Sequence, residues 1–304
     1  QQQQQQQAQT APASLGSGSA VKLSQSAFDQ GFNITYSEIK FEKKIGVGGF
    51  GEVWKGEWAG TEVAIKKILK GDINEADLAE FSKEIMLMSK LRHPNIVQFL
   101  GACLHPEFCL LTEFMDRGSL FHVLADPANK ITWSMKVDFC KDIAKGMLYL
   151  HTRSPPIVHR DIKSLNVLVT KEWKCTIADF GLTRIKDSQA MSTRCGSPAW
   201  SAPEVLRGEQ YDEKADVFSF GVVMWEIVMC QPPYKGMNPN QLIGQVAFTT
   251  PGLRPPLPQS CPVPALLNLM VRCWDNNPHV RPNFAAILEE LKAVNLPANI
   301  GDAV

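Results

Sequence analysis

Apolar and polar positions alternate first with a strand period and then with a helical one. Ile39–Ile45, Glu52–Trp58 and Glu62–Ile68 alternate and are punctuated by Gly56 and Gly60, which predicts three short strands. The period then changes. Leu78, Phe81, Ile85, Met88 and Leu91 fall at i, i+3, i+7, i+10 and i+13, one face of a helix, with Asp72 and Glu75 as a candidate capping box at its start. Two more strands are predicted at Ile96–Cys103 and Phe108–Phe114. Beyond Gly118 the patterns are mostly helical: Leu120–Leu124, Trp133–His151, Asp216–Met229, Asn238–Ala247, Ala265–Trp274 and Phe284–Ala293. One strand-rich interruption, Val167–Ile177, reads as a hairpin turning at Lys171 and Glu172. A β-rich part followed by a larger helical part predicts an α+β molecule with a cleft between two lobes, where ligands bind.

Length and composition narrow this picture. At 304 residues the chain can hold about two structural units of ~150 residues. Its 31 basic and 31 acidic residues cancel, which argues against a bulk electrostatic grip on nucleic acid or an anionic membrane. No apolar run approaches the roughly 18 residues of a membrane span, and the longest, Phe218–Cys230, is interrupted by Ser219 and Glu226. The eight cysteines form no C-x-x-C pair and no zinc-ligand spacing, so they read as reduced core thiols. Residues 1–36, opening on seven glutamines and rich in Ser, Gly and Ala, read as a disordered linker to something upstream, and residues 293–304 as a tail. The first residue is Gln, as expected of a piece of a longer chain, and a cytoplasmic location is the default expectation.

The chemistry is concentrated in a few segments. Gly46, Gly48 and Gly51 form G-x-G-x-x-G, but a strand follows rather than the helix a dinucleotide site needs. What remains is a glycine-rich hairpin whose bare backbone can lie close over a phosphate chain. On the next strand, Val63-Ala-Ile-Lys66 puts Ala64 and Lys66 on one face, the small residue leaving room for a flat ring and the lysine able to reach phosphate. Glu84 lies beside the apolar stripe of its helix, where a carboxylate is costly unless paired, and Lys66 is its natural partner. His159-Arg-Asp-Ile-Lys-Ser-Leu-Asn166 groups Asp161, Lys163 and Asn166; Asp179-Phe-Gly181 and Ala202-Pro-Glu204 follow in order.

This ordered set resembles the eukaryotic protein kinase domain over residues 39–291. Glu38-Ile-Lys-Phe41, the His159–Asn166 segment and Pro198-Ala-Trp-Ser-Ala-Pro-Glu204 are most similar to the tyrosine-kinase-like group, which includes Raf-type and mixed-lineage kinases. The resemblance implies a two-lobed kinase fold over residues 37–292, with an N-lobe to 115 and a C-lobe from 116. It also implies transfer of the γ-phosphoryl group of ATP to protein substrates, largely on serine and threonine, with Mg2+ or Mn2+. By resemblance Ile45, Gly46, Val47, Gly48, Gly49, Phe50 and Gly51 cover the nucleotide, and Lys66, oriented by Glu84, holds its α- and β-phosphates. Val53, Ala64 and Leu168 sandwich adenine. The segment Glu113–Met115 offers its backbone to the adenine edge, with Thr112 before it as a small gatekeeper. Asn166 and Asp179 bind the metal, Asp161 receives or aims the substrate hydroxyl, and Lys163 offsets charge on the moving phosphoryl group.

Other matching residues carry structural roles. Asp216 reads as an N-cap, and by resemblance as a partner of the catalytic-loop backbone; Glu204 and Arg281 match a buried ion pair. By resemblance Lys163 and Ser197 imply a preference for serine and threonine, while Pro198-Ala-Trp200 leaves dual or tyrosine specificity open. A non-catalytic scaffold would need a lesion at Lys66, Asp161 or Asp179, and each is intact. By resemblance, Arg160 before Asp161 implies activation by phosphorylation of the following loop, by an upstream kinase or by autophosphorylation; of its acceptors Ser188, Ser192 and Thr193, the expected site is Ser192 or Thr193, and Cys195 reads as an inert thiol rather than a redox handle.

Overall fold

A computed structural model describes residues 32–48, 51–68, 75–181, 184–185 and 196–296. Five antiparallel strands open the fold: β1 (Ile39–Gly48), β2 (Gly51–Trp58), β3 (Thr61–Lys67), β4 (Phe99–Cys103) and β5 (Cys109–Glu113). Their order in the sheet is β1-β2-β3-β5-β4, with helix α1 (Glu75–Met88) crossing between β3 and β4. The pleat sorts β3 as its sequence alternates. Val63 and Ile65 are fully buried in a small core with Ile39, Cys109 and Leu111, while Ala64 and Lys66 face the other way. Register places Val53 opposite Lys66 and Thr112 opposite Ala64, so these four side chains share one face.

The strand predicted over 96–103 is shorter, because its first residues do different work. Asn95 and Val97 bond across to the helical part: Val97 N–H donates to the Ile177 carbonyl (2.9 Å) and Ile177 N–H to the Asn95 carbonyl (2.9 Å). The alternating pattern there serves a crossing between lobes, and only Phe99–Cys103 joins the sheet. The linker expected up to residue 36 also differs in its described part. Asn33 bridges Ala102, and Ile34 N–H donates to the Ala102 carbonyl at 2.9 Å, covering the β4 edge. Ile34 fits because residue 101 is glycine; a Cβ there would lie 2.5 Å from Ile34 Cδ1.

The remainder is mainly helical: α2 (Leu120–Ala125), α3 (Trp133–His151), α4 (Pro203–Arg207), α5 (Lys214–Met229), α6 (Pro239–Phe248), α7 (Pro264–Cys273) and α8 (Phe284–Lys292). Between α3 and α4 run short strands: β6 (Ile157–Val158) pairs with β9 (Arg184–Ile185), and β7 (Val167–Val169) with β8 (Cys175–Ile177), the hairpin expected from the sequence. Helix α5 is buried from Ala215 to Val228, as an all-round apolar helix must be. The N-cap expected at Asp216 is instead Glu213; Asp216 lies in the first turn and points at the catalytic segment. The candidate capping residue Asp72 lies outside the described residues. Among those residues no helix is long and apolar enough to cross a membrane, and seven cysteines are free, five of them buried.

Candidate active site

Among the described residues, the sheet and the helical part meet where Lys66 and Glu84 face Asp179. On the sheet side the paired glycines 48 and 51 close the β1–β2 hairpin, leaving Ile45 and Val47 exposed. Gly51 is required there: its φ is +146°, and a Cβ would meet the Lys67 carbonyl oxygen at 2.0 Å. Residues 49 and 50, predicted to cover nucleotide, lie outside the described residues. Lys66 Nζ donates to both carboxylate oxygens of Glu84, at 3.0 and 3.2 Å, and reaches Asp179 Oδ1 at 3.4 Å. Burial would lower the Lys66 ammonium, but Glu84 and Asp179 outweigh it and hold it above its usual range, so it stays charged. Partial burial likewise pushes the Asp179 carboxyl up, yet the charge and hydrogen bond of Lys66, with Lys163 behind it, keep it below the usual carboxylate range.

Strand β5 leads out of the sheet toward the second lobe. Thr112 Oγ1 donates to the Glu113 carbonyl at 3.3 Å, and the Glu113 side chain accepts from Gln98 N–H at 2.7 Å. Met115 is buried, and Thr176 Oγ1 donates to its Sδ at 3.6 Å. Leu168, half-buried on β7, sits next to this connection through the Ser119–Leu168 bridge.

The acceptor side is built on residues 159–166. Asp161 is held by four donors. Lys163 Nζ (2.6 Å) and Asn166 Nδ2 (3.0 Å) bond Oδ2, while Ser197 N–H (3.1 Å) and Ser197 Oγ (3.2 Å) bond Oδ1. Lys163 Nζ also donates to Ser197 Oγ at 2.9 Å, so the Ser197 hydroxyl proton points at Asp161. Asn166 spends its amide protons on Asp161 Oδ2 and the Asp161 carbonyl (2.9 Å), which leaves its side-chain oxygen available as a hard ligand.

Asp216 holds this segment from behind. Its carboxylate accepts from His159 N–H (2.9 Å) and Arg160 N–H (2.8 Å) and from His151 Nε2 (2.9 Å). Burial alone would raise its pKa, but the hydrogen bonds from His151 and the Arg160 amide outweigh burial and keep it low. These bonds clamp Arg160 at φ +72°, a conformation other than glycine rarely keeps without support. Burial keeps the His159 ring neutral. Nδ1 accepts from Asp161 N–H (3.4 Å), so the ring proton sits on Nε2 and is directed at the Ala178 carbonyl (3.2 Å), one residue before Asp179. Asp179 itself has φ +63°. One imidazole thus links the segment of Asp161 to that of Asp179, with the Phe180 ring 5.2 Å away.

Glu204 and Arg281 form the expected buried pair, bidentate at 2.6 and 2.9 Å. Ser188, Ser192, Thr193 and Cys195 lie outside the described residues. Sequence reasoning assigned no role to His151, Ser219 or Glu226. The signal available for the last two was a hydroxyl and a carboxylate inside an apolar run, where only a buried partner justifies either.

The donor types suit a hard divalent cation, Asp179 offering a carboxylate and Asn166 an amide oxygen. Comparison with known proteins agrees with the geometry. The profile of the protein tyrosine and serine/threonine kinase family matches residues 39–291. Similar proteins include the probable serine/threonine-protein kinase drkA of Dictyostelium discoideum, 47% identical over 87% of this chain and 41% of that protein. In Arabidopsis thaliana, the probable serine/threonine-protein kinase SIS8 is 44% identical over 87% of this chain and 26% of its own. The serine/threonine-protein kinase CTR1, from the same plant, is 41% identical over 86% and 32% respectively. The chain therefore spans about two fifths or less of the length of these relatives. With a profile match that runs from the first residue of β1 into the last helix, the chain belongs to the protein tyrosine and serine/threonine kinase family.

Proposed function

We propose that this chain transfers the γ-phosphoryl group of Mg2+-bound ATP to serine and threonine hydroxyls of protein substrates. The observation that carries this reading is the constellation around Asp161, a carboxylate held in one orientation by Lys163, Asn166 and Ser197. Phosphoryl transfer asks a protein for positioning and charge neutralisation more than for covalent chemistry. Lys66, kept charged and aimed by Glu84, grips phosphate from the sheet side. The face shared by Val53, Ala64 and Thr112, with Leu168 below, accepts a flat heteroaromatic ring, and the Glu113–Met115 backbone reads its edge. Asp179 and Asn166 would hold Mg2+, which when bound offsets phosphate charge. Asp161 orients the acceptor hydroxyl and takes its proton, and Lys163 stabilises charge on the group in transit.

The serine/threonine preference is supported by the Lys163–Ser197 contact and by the names carried by the similar proteins. Asp161→Asn should abolish phosphotransfer while leaving the fold and nucleotide affinity intact. A wild-type chain that phosphorylates nothing while binding ATP would overturn the reading, and phosphotyrosine as the major product in phosphoamino-acid analysis would overturn the specificity.

A further inference from the structure

Helix α5 is apolar almost throughout, yet after its first residue, Lys214, three polar residues recur along it. At ~100° per residue, Asp216, Ser219 and Glu226 fall within roughly 80° of helix surface, one stripe facing the catalytic segment. Asp216 bonds the start of that segment. Ser219 Oγ donates to the Trp200 carbonyl at 2.7 Å. Glu226 takes two different partners: Ser164 Oγ donates to Oε1 at 2.6 Å, and Trp200 Nε1 donates to Oε2 at 2.7 Å. Its side chain is 1% exposed and both oxygens are engaged. A cationic residue of a substrate has no access to it.

We propose that Glu226 is a positioning residue of the phosphotransfer site, tying Ser164 in the catalytic segment to Trp200 in the segment that carries Ser197, and so fixing the acceptor side around Asp161. The inference rests on the phosphotransfer reading. Ser164 lies three residues after Asp161, and Trp200 three after Ser197, whose backbone and hydroxyl both bond Asp161. Trp200 N–H also donates to the Ser197 carbonyl at 2.9 Å, making one short turn of the segment that Glu226 grips by its indole. A displacement of Trp200 therefore moves Ser197, and with it one half of the support of Asp161.

The chemistry of the two donors makes the carboxylate form special. An indole N–H can only donate, so Oε2 must stay unprotonated. The Ser164 hydroxyl donates to Oε1; a proton on Oε1 would reverse that bond, the hydroxyl then accepting, and both contacts would lose the charge assistance of the carboxylate. Glutamine at this position presents the same pattern as the protonated acid, a carbonyl for Trp200 and an N–H toward Ser164. Among the described residues no cation is bonded to Glu226. Phe121 and Leu124 of α2 and Cys230, the C-cap of α5, line the small cavity beside Glu226. Lys136 Nζ, which also reaches α5, is bonded to the Val228 carbonyl, and Asp161 and Lys163 are bonded to each other. Burial accordingly pushes the Glu226 carboxyl up to about 7 against the hydrogen bonds of Ser164 and Trp200, within the range where activity is assayed.

The test compares wild type with Glu226→Gln between about pH 6 and pH 8.5, with Ser164→Ala as a second variant. The ratio of wild-type to E226Q kcat should rise roughly 10-fold with pH around a midpoint near 7, with the KM for ATP unchanged. Ser164→Ala should reproduce the kcat loss at high pH. A readout independent of activity is the 15N-labelled indole N–H resonance of Trp200, assigned as the one missing from Trp200→Phe. It should titrate near pH 7 in wild type and stand still in E226Q. An E226Q protein with wild-type kcat across the range, or a Trp200 indole indifferent to pH, overturns the positioning role and leaves the phosphotransfer reading standing. An indole that titrates as expected in a wild-type protein unable to transfer phosphate overturns the phosphotransfer reading instead.

Discussion

Glu226 has a cost to the folded state that Glu226→Gln should relieve, in a pH-dependent way. The carboxyl titrates near 4.5 when solvated and near 7 when buried against α2 and the catalytic segment. At about 1.4 kcal/mol for each tenfold change in proton affinity, keeping it ionised in the fold costs roughly 3 kcal/mol. The sign follows from proton counting. Between about pH 4.5 and pH 7 the folded protein holds a proton that the unfolded chain has released, so stability falls as pH rises through that window and stays at the lower level above it. Glutamine keeps both hydrogen-bonding contacts and carries no charge, so it lacks this slope. E226Q and wild type should therefore be nearly equal in stability at pH 5, while at pH 8 the variant should be more stable by up to ~3 kcal/mol, or roughly 6–12 °C in thermal midpoint for a domain of this size. Thermal melts of both proteins at the two pH values read this directly, because every other titrating group contributes equally to both and cancels in the difference. A variant less stable than wild type at pH 8, or a difference independent of pH, would refute the reasoning. Together with a slower kcat, a more stable E226Q would place this carboxylate among groups kept for activity at the expense of stability.

Other consequences concern the two lobes separately. Glu204→Gln removes the charge and one of the two acceptors that face Arg281, itself 1% exposed, leaving its guanidinium one amide oxygen beside the Asp275 and Lys214 carbonyls at 2.8 and 3.0 Å. It should cost about 3–5 kcal/mol in urea unfolding, with most of that recovered in a Glu204→Leu, Arg281→Met double variant; strictly additive losses would contradict the pairing. Gly51→Ala places a Cβ 2.0 Å from the Lys67 carbonyl at φ +146°, so the hairpin must shift. Calorimetry should show nucleotide affinity reduced about 10-fold, and wild-type affinity would mean that this turn does not shape the site. Glu84→Gln should raise the KM for ATP about 10-fold while the unfolding midpoint changes little, since only the aim of Lys66 is lost; an unchanged KM would show that Asp179 alone suffices to orient the ammonium.

Local pattern made some of this site legible and left the rest dark, for a physical reason. The face shared by Val53, Ala64, Lys66 and Thr112 follows from period-two alternation and strand adjacency, both written in short stretches of chain. Glu84 was legible because a carboxylate beside an apolar stripe needs a cation, and Lys66 was the candidate at hand. The support of Asp161 by Ser197, 36 residues away, has no local signature and could be anticipated only through family resemblance. Where local pattern was taken at face value it misled. The apolar alternation of Ile96–Phe99 looks like one strand but includes a crossing to β8, and Asp216 looks like a helix cap but serves a different segment.

Glu226 shows the limit most clearly. In the sequence it is a single break in an apolar run, and the same break would be written by a solvent-facing residue on a less buried helix. Its meaning depends on Ser164, 62 residues earlier, and Trp200, 26 residues earlier, arriving on the same side of α5. That arrival requires α5 to be buried on all sides, because on a surface helix water would compete for the carboxylate and the bonds would hold neither loop. The long apolar run and its polar exceptions are therefore one device. The apolar positions exclude water from around α5, and the excluded water is what lets Asp216, Ser219 and Glu226 grip two loops that would otherwise be free to drift apart.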